Sequence, residues 1–303
     1  MGNAAAGKIK PAPASFNVMS LRFNEGSFSA LHAPKDMLKH LRQAITDYWA
    51  GIETESRPHP AVHNFKLKGY ANEEKFWDDI QSTLLFLAII RMLHQHGWKL
   101  VLAPDIFQTI ENAELMFRYT PNEKENNDMD LPFCIRLDEE NQLQISGAPE
   151  NVVTLVKESL KCHLPLLRDF QSEYKELKNV QILFSSPVWK TTDDKVKTKS
   201  GLAITEMFTR LHNAGYELTN CACLDGQRDT WFFDKVPPSD AQLCLVALVS
   251  TDVAMAFRLP KETRADLVQT LKKHWTKGEV REKEFSPERA EREMVCRGQL
   301  EEI

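Results

Sequence analysis

One short pattern of residues that could do chemistry occurs twice in the sequence. Leu, His, Gly, an aromatic residue and Leu recur in 93–100 and in 211–218, at a constant offset of 118 residues. Histidine titrates close to neutral pH, so a recurring histidine beside an aromatic ring is a candidate for acid–base or ligand-binding chemistry. The candidate ligand-lining residues of a site between two repeats are His94, Trp98, His212 and Tyr216.

The local pattern also offers a structural explanation for the two histidines. Each copy follows a helical apolar pattern, and Gly97 and Gly215 are placed to end those helices in the left-handed conformation. A histidine in the last turn complements the negative end of the helix dipole. No nucleophile or carboxylate recurs beside either histidine, so the pattern favours capping and packing, and we assign no catalytic residue.

The first residues of the chain carry a lipidation signal. Removal of Met1 exposes Gly2, the acceptor for N-myristoylation, although Ala6 stands where the pattern prefers Ser or Thr. One myristoyl chain gives reversible membrane binding, with a partition constant of about 10⁴ M⁻¹. Lys8 and Lys10 would each add about 1 kcal/mol at an anionic leaflet. The alternative interpretation of these residues is an unmodified, flexible leader.

Composition excludes several other classes of function. A net charge of −5 and a pI near 6.0 argue against nucleic acid as a partner. The six cysteines show no C-x-x-C spacing, which predicts reduced thiols and no metal site, and no cofactor motif is present. The most apolar run, Leu84–Ile90, is far shorter than the roughly 20 residues that span a bilayer.

The elements that position the repeated pattern also recur. Apolar periodicity predicts an amphipathic helix over 34–49, and then the order strand, helix, four strands, helix, twice. This predicts an α+β fold built from an internally duplicated module, with antiparallel sheets and helices packed on one face. The predicted parts are a flexible leader (1–30), a first module with an extra N-terminal helix (31–172), a second module (173–276) and a charged tail (277–303).

Three connecting segments are predicted from polarity and proline. Arg57–Pro60 is expected to be a linker, Thr191–Ser200 a charged loop, and Glu288–Arg297 a polar helix of the tail.

The N-terminus and the helix-to-strand corner resemble known families. A helix that ends in Gly-aromatic-x-Leu and leads into an apolar strand, as in Leu211–Asn220, together with the Met-Gly start, resembles the lipid-raft-associated raftlin family. Asn3 stands where raftlin has a cysteine, so the resemblance does not extend to dual acylation. The first eight residues also resemble the myristoylated N-terminus of cAMP-dependent protein kinase catalytic subunits, although the chain has no kinase motif. The raftlin resemblance implies a non-enzymatic membrane adaptor.

These observations predict a cytoplasmic protein that associates reversibly with the cytoplasmic face of a membrane through a myristoyl group on Gly2. Its body would bind an unidentified protein partner. Two alternatives stay open: an enzyme or small-ligand-binding protein with a site between the repeats, and a cytosolic structural subunit without acylation.

Overall fold

A computed structural model describes residues 17–24, 26–69, 80–103, 112–120, 131–223, 229–250, 253–274, 279–286 and 291–297. Gly2, Lys8 and Lys10 therefore lie outside the described residues. None of the helices in the described ranges is long and apolar enough to cross a bilayer.

The first copy of the repeat contains eight elements. They are β1 (Val18–Asn24), β2 (Ser27–Leu31), α1 (Lys35–Tyr48), β3 (Ile52–His59), β4 (Val62–Leu67), α2 (Ile80–Gln95), β5 (Trp98–Leu102) and β6 (Asn112–Tyr119). The six strands form one antiparallel sheet, sheet 1, in the order β3-β4-β2-β1-β6-β5.

The second copy repeats this order of elements. It contains β7 (Phe133–Asp138), β8 (Gln142–Ser146), α3 (Glu150–Lys161), β9 (Leu166–Tyr174), β10 (Leu177–Phe184), α4 (Asp194–Asn213), β11 (Tyr216–Cys223) and β12 (Asp229–Lys235). Sheet 2 has the order β11-β12-β7-β8-β10-β9, which is the order of sheet 1 written from its other edge. The predicted order of strand, helix, four strands and helix runs from β4 to α3 and again from β10 to α5 (Lys261–His274), so the duplicated α+β fold is confirmed.

A third sheet follows the second copy. Sheet 3 is formed by β13 (Leu245–Ser250), β14 (Val253–Phe257), β15 (Glu279–Ser286) and β16 (Glu291–Arg297), with α5 between its two hairpins. Its order is β13-β14-β16-β15, and its strands are antiparallel.

Contacts within the chain define two compact units. Unit 1 comprises Met1–Pro149, Asp169–Gln181 and Glu217–Val236, and unit 2 comprises Glu150–Arg168, Ile182–Tyr216 and Pro237–Ile303.

The core of unit 1 is built around α2. Leu84–Ile90, the apolar run of the sequence, is buried throughout, because α2 has neighbours on two sides. Towards sheet 1, the ring of Phe86 lies 4.0 Å from the ring of Phe23 on β1. Towards sheet 2, the hydroxyl of Thr83 accepts a 2.7 Å hydrogen bond from the buried guanidinium of Arg136 on β7. A helix buried on most sides has to be apolar on most sides.

In unit 2, α4 packs against sheet 3. Leu202 on α4 forms a small core with Met255 and Phe257 on β14. Gly201 allows this contact, because a Cβ atom at that position would overlap the ring of Phe257. The carboxylate of Glu206 on α4 also pairs with Arg258, the residue that follows β14.

The structure corrects the predicted leader and the predicted linker. β1 and β2 occupy the described part of the leader, where Met19, Leu21 and Phe23 alternate with less buried residues and face the core. The linker Arg57–Pro60 largely belongs to β3, an edge strand exposed along nearly all of its length. Such a strand needs no apolar alternation and tolerates proline, so its sequence resembles a loop.

The predicted loop and the predicted tail helix are also corrected. α4 begins at Asp194, inside the segment predicted to be a charged loop, and Asp193 caps it by accepting a 2.8 Å hydrogen bond from the Lys195 amide. In the predicted tail helix 288–297, residues 291–297 are the strand β16, which pairs with β14 and β15. Pairing on both sides, with its hairpin partner β15 and with β14 from the other hairpin, outweighs the weak local preference of a charged segment.

Candidate functional site

The two helix-to-strand corners are the predicted ligand-lining sites, and each has a structural role. Gly97 and Gly215 both have φ of 82°, and their amides donate 2.9 Å hydrogen bonds to the carbonyls of His94 and His212. In each corner the left-handed glycine therefore caps the helix, because its amide satisfies the backbone carbonyl of the histidine.

The side chains of the corners complete this arrangement. Trp98 and Tyr216 are buried, and the ring of Trp98 packs 5.3 Å from the ring of Tyr119. The Nε2 atom of His212 lies 2.7 Å from the Ser239 hydroxyl, a contact that joins α4 to the segment before β13. His94 lies in unit 1 and His212 in unit 2. The histidines belong to two separate corners, each with its own packing.

A pocket with several titratable side chains lies in unit 1, beside α1 and α2. Its volume is about 180 Å³. Residues from the two helices and from Leu131, Glu176 and Leu177 line it. Three of the lining residues are His40, Ala44 and Tyr48, which are spaced by four along α1 and therefore lie on one helix face.

Two side chains of this pocket have displaced pKa values. Burial, followed by the nearby His96 and Lys39, lowers the pKa of His40, whose ring centroid lies 4.0 Å from that of His96. Burial, followed by the charge of Glu176, raises the pKa of the Tyr48 hydroxyl. Both shifts favour the neutral form of the side chain.

Two charged side chains of the pocket, Arg91 and Asp47, are already engaged. Arg91 donates from Nε to the Pro132 carbonyl at 2.7 Å and from Nη2 to the Gly147 carbonyl. Asp47 accepts a 2.9 Å hydrogen bond from Gln43 and lies 3.5 Å from the ammonium of Lys175. The volume of the pocket is below the roughly 300 Å³ of usual ligand sites. The pocket therefore suits water or a very small polar molecule. It is too small and polar for a myristoyl chain.

A second polar cluster joins α1 to the β3–β4 hairpin. Arg42 binds the carboxylate of Glu55 through two nitrogens, with Nη2–Oε2 and Nε–Oε1 distances of 2.8 Å, and His63 Nε2 lies 2.8 Å from the same Oε2. The hydrogen bonds from Arg42 outweigh partial burial and lower the pKa of Glu55. A carboxylate bound on both oxygens acts as a brace for the hairpin.

Among the described residues, no group of three His, Cys, Asp or Glu side chains is placed to bind a metal ion. The sequence analysis did not identify His40 or Glu55 as site residues. The spacing of His40, Ala44 and Tyr48 was the available signal for the pocket, whereas the pairing of Glu55 with Arg42 depends on the hairpin.

Comparison with known proteins adds two findings. A single family model matches the chain twice, over residues 17–118 and 132–234, which together are about two thirds of its length. The crystal structure of a conserved kinetoplastid-specific protein from Trypanosoma cruzi is 21% identical in sequence and covers 34% of this chain and 94% of its own, with a TM-score of 0.27. No curated protein matches the chain.

These matches correct the expected relationship. The raftlin resemblance is wrong, because another family model matches both halves of the duplication and no match indicates a raftlin-like family. The two matched ranges coincide with the two eight-element copies, β1 to β6 and β7 to β12. The chain therefore belongs to the family that this model describes and carries two copies of its domain.

Proposed function

We propose that this protein is a non-enzymatic binding protein that associates reversibly with membranes through N-myristoylation of Gly2. The N-terminal sequence carries the proposal: Gly2 follows Met1, small residues follow it, and Lys8 and Lys10 supply positive charge. In the cytoplasm, the protein would bind the cytoplasmic face of a membrane and present its folded body to a protein partner.

The position of the first strand is compatible with this role. Fifteen residues lie between Gly2 and Val18, where β1 begins. At about 3.4 Å per residue, such a stretch can span up to about 50 Å. An acyl chain on Gly2 can therefore reach a bilayer without requiring the body to touch it.

The recurring histidines support binding more than catalysis. The backbone carbonyl of each accepts a hydrogen bond from the glycine that ends its helix, and the ring of His212 contacts Ser239. A general base needs a partner whose proton it takes, and the two corners are occupied by packing aromatics.

Metabolic labelling tests the proposal. The full chain is produced together with an N-myristoyltransferase and an alkyne analogue of myristate, and its intact mass is measured. We expect loss of Met1 and one acyl group on Gly2. Gly2→Ala should abolish the label, whereas Gly7→Ala, a matched control, should retain it. An unlabelled protein of unmodified mass would refute the lipid anchor and favour the cytosolic structural subunit.

Vesicle sedimentation then separates the acyl chain from the lysines. We expect acylated protein to bind vesicles containing phosphatidylserine, with weaker binding to neutral vesicles and weaker binding for Lys8→Ala/Lys10→Ala. Equal membrane-bound fractions for the acylated protein and for Gly2→Ala would contradict the proposal even if the label is present.

The pocket beside α1 supports small-ligand binding as a second candidate function. The observation that favours this function is that His40 and Tyr48, whose pKa values are both displaced, line the same cavity. Titration with acetate and with inorganic phosphate, followed by the NMR signal of the His40 ring, tests it. A saturable change in the chemical shift of the His40 ring that is lost in Tyr48→Phe would support the site. A change that stays linear with ligand concentration would refute it.

A further inference from the structure

Sheet 3 and α5 are a third, partial copy of the repeat. Each complete copy begins with two strands, a helix and two strands, and β13, β14, α5, β15 and β16 follow that order. The corresponding strands of the first copy are adjacent in the order β1-β2-β4-β3, and sheet 3 has the order β13-β14-β16-β15. The family matches end at residue 234 and do not include this copy.

The junction between the second strand and the first helix is the same in all three copies. His32, Gly147 and Arg258 follow β2, β8 and β14, and their φ angles are 56°, 73° and 55°. Each is followed by a small or aliphatic residue and then by a proline that opens the helix: Ala33-Pro34, Ala148-Pro149 and Leu259-Pro260. A left-handed residue at one fixed position in three copies indicates a common fold rather than three chance turns.

The third copy is also held by its predecessor in the same way as the second. Arg91 on α2, the second helix of the first copy, binds the carbonyl of Gly147. Glu206 on α4, the second helix of the second copy, binds the side chain of Arg258. In both cases a side chain on the second helix of one copy binds the left-handed residue of the following copy.

In the part of the chain that the structure describes, β13 differs from the equivalent strands of the complete copies by lying at the edge of its sheet. In the complete copies the equivalent strands pair on both sides, β1 with β2 and β6, and β7 with β8 and β12. Among the described strands, β13 pairs with β14 alone and ends the order of sheet 3. Val246 on this strand is 45% exposed.

The first helix of the third copy is likewise poorly covered. α1 buries four residues and α3 buries five, whereas α5 buries none. Leu267, Val268 and Leu271 form an apolar stripe on α5 that remains only half-buried.

β13 differs from the other edge strands because it contains no charged residue. The three sheets have six edge strands, and β3, β5, β9, β11 and β15 each contain at least one charged residue. β13, with the sequence Leu-Val-Ala-Leu-Val-Ser, contains none. Charged side chains protect an edge against pairing with a second strand. If two copies of a charged strand paired antiparallel, their like charges would also repel each other across the twofold axis. β13 avoids this repulsion.

We propose that two copies of this chain associate through their β13 strands, in an antiparallel pair that joins the two third sheets into one sheet of eight strands. The pairing would satisfy the open backbone groups of β13 and cover Val246 with the apolar strand of the partner. The occupant is a second copy because the edge is uncharged and therefore complementary to itself. This inference is independent of the lipid anchor.

The oligomeric state of the full, unacylated chain tests the proposal. Light scattering coupled to size exclusion, over protein concentrations from about 1 to 100 μM, should show a molar mass that rises towards twice the 34.7 kDa of one chain. Val246→Lys should remain at the mass of one chain over the whole range. Leu102→Lys and Leu218→Lys, at exposed positions of the edge strands β5 and β11, are matched controls that should behave as wild type.

Hydrogen exchange on the wild type provides a second readout that needs no variant. Amides of β13 should exchange more slowly as the protein concentration rises, while those of β5 should not change. The proposal would be overturned if the wild type stays at the mass of one chain or if Val246→Lys still forms a dimer. It would also be overturned if the exchange rates of the β13 amides do not change with protein concentration.

Discussion

At the scale of single residues, the left-handed position after the second strand decides how tightly neighbouring copies can pack. Gly147 occupies it in the second copy. A Cβ atom there would lie 2.7 Å from Arg91 Nη2 and 2.7 Å from Leu87 Cδ2, and the φ of 73° would add backbone strain. His32 and Arg258 hold the same conformation with side chains, so backbone strain alone does not require glycine there. The contact with α2 requires it.

Gly147→Ala should therefore destabilise the protein by about 2–4 kcal/mol, the sum of left-handed strain and overpacking. Urea unfolding measures the loss. The matched control is Gly69→Ala, where φ is 80° but the nearest atom to a Cβ is 3.9 Å away. The control should lose about 1 kcal/mol, from strain alone. Equal losses in the two variants would show that the contact with Arg91 and Leu87 is unimportant.

The lowered pKa of His40 makes stability depend on pH. The unfolded chain binds a proton at His40 near the ordinary value of 6.5, whereas the folded protein binds it only at lower pH. The unfolded state therefore holds more protons between these two values, and stability falls as pH decreases below 6.5. The contribution is complete above pH 6.5 and is lost once pH reaches the folded-state pKa.

His40→Gln should reduce this pH dependence. We expect the free energy of unfolding of the wild type to fall between pH 7.5 and pH 5.5 by more than that of His40→Gln. Denaturant titrations at the two pH values measure both differences. His274→Gln, at an exposed position in the last turn of α5, should keep the wild-type slope. A His40→Gln variant with the full wild-type slope would contradict the burial of His40.

At the scale of elements, the contact between α4 and sheet 3 in unit 2 depends on Gly201, which has no side chain. Alanine is a better helix former than glycine by about 1 kcal/mol, so propensity alone predicts that Gly201→Ala stabilises α4. The ring of Phe257 occupies the space of that methyl group. The position is glycine because β14 lies against the helix, and the same closeness brings Arg258 within reach of Glu206.

Gly201→Ala should therefore destabilise the protein by about 1–3 kcal/mol, despite the better propensity. The double variant Gly201→Ala/Phe257→Leu should recover part of the loss, and a double-mutant cycle measures the coupling between the two positions. Lys199→Ala, at an exposed position on the same helix, should change stability by less than about 0.5 kcal/mol. A more stable Gly201→Ala variant would show that β14 does not pack against α4.

At the scale of the whole molecule, the proposed anchor and the proposed dimer reinforce each other. One myristoyl chain binds membranes only marginally, and stable anchoring needs a second signal. A dimer carries two copies of Gly2, so binding of the first acyl chain raises the local concentration of bilayer around the second.

Acylated wild type should therefore bind vesicles containing phosphatidylserine at least about tenfold more tightly than acylated Val246→Lys. Sedimentation at protein concentrations above the dimer midpoint measures both affinities. Gly2→Ala should abolish the difference between the dimeric and monomeric forms, and acylated Leu102→Lys should bind as the wild type does. Equal affinities for the acylated dimer and the acylated Val246→Lys monomer would separate the two proposals and leave dimerisation without a role at the membrane.

Local patterns predicted much of the fold. The corners at Gly97 and Gly215 were recognisable because helix termination is a local event that glycine and its neighbours decide. α1 and α5 were recognisable from their apolar periodicity, and the β7–β8 hairpin from its two short apolar runs. β3 and β16 were missed because exposed or charged strands have no clear alternation, and only their neighbours in the sheet make them strands.

The sequence by itself determined the duplication, the α+β class and the helix-ending corners at Gly97 and Gly215, because these follow from interactions between residues close along the chain. Only the tertiary structure decided that Arg91 lies against Gly147, that His40 and Tyr48 share a pocket, and that β13 ends a sheet. Each of these depends on contacts between residues far apart in sequence. Such contacts are formed by the packing of whole elements, and a local pattern of residue types does not encode them.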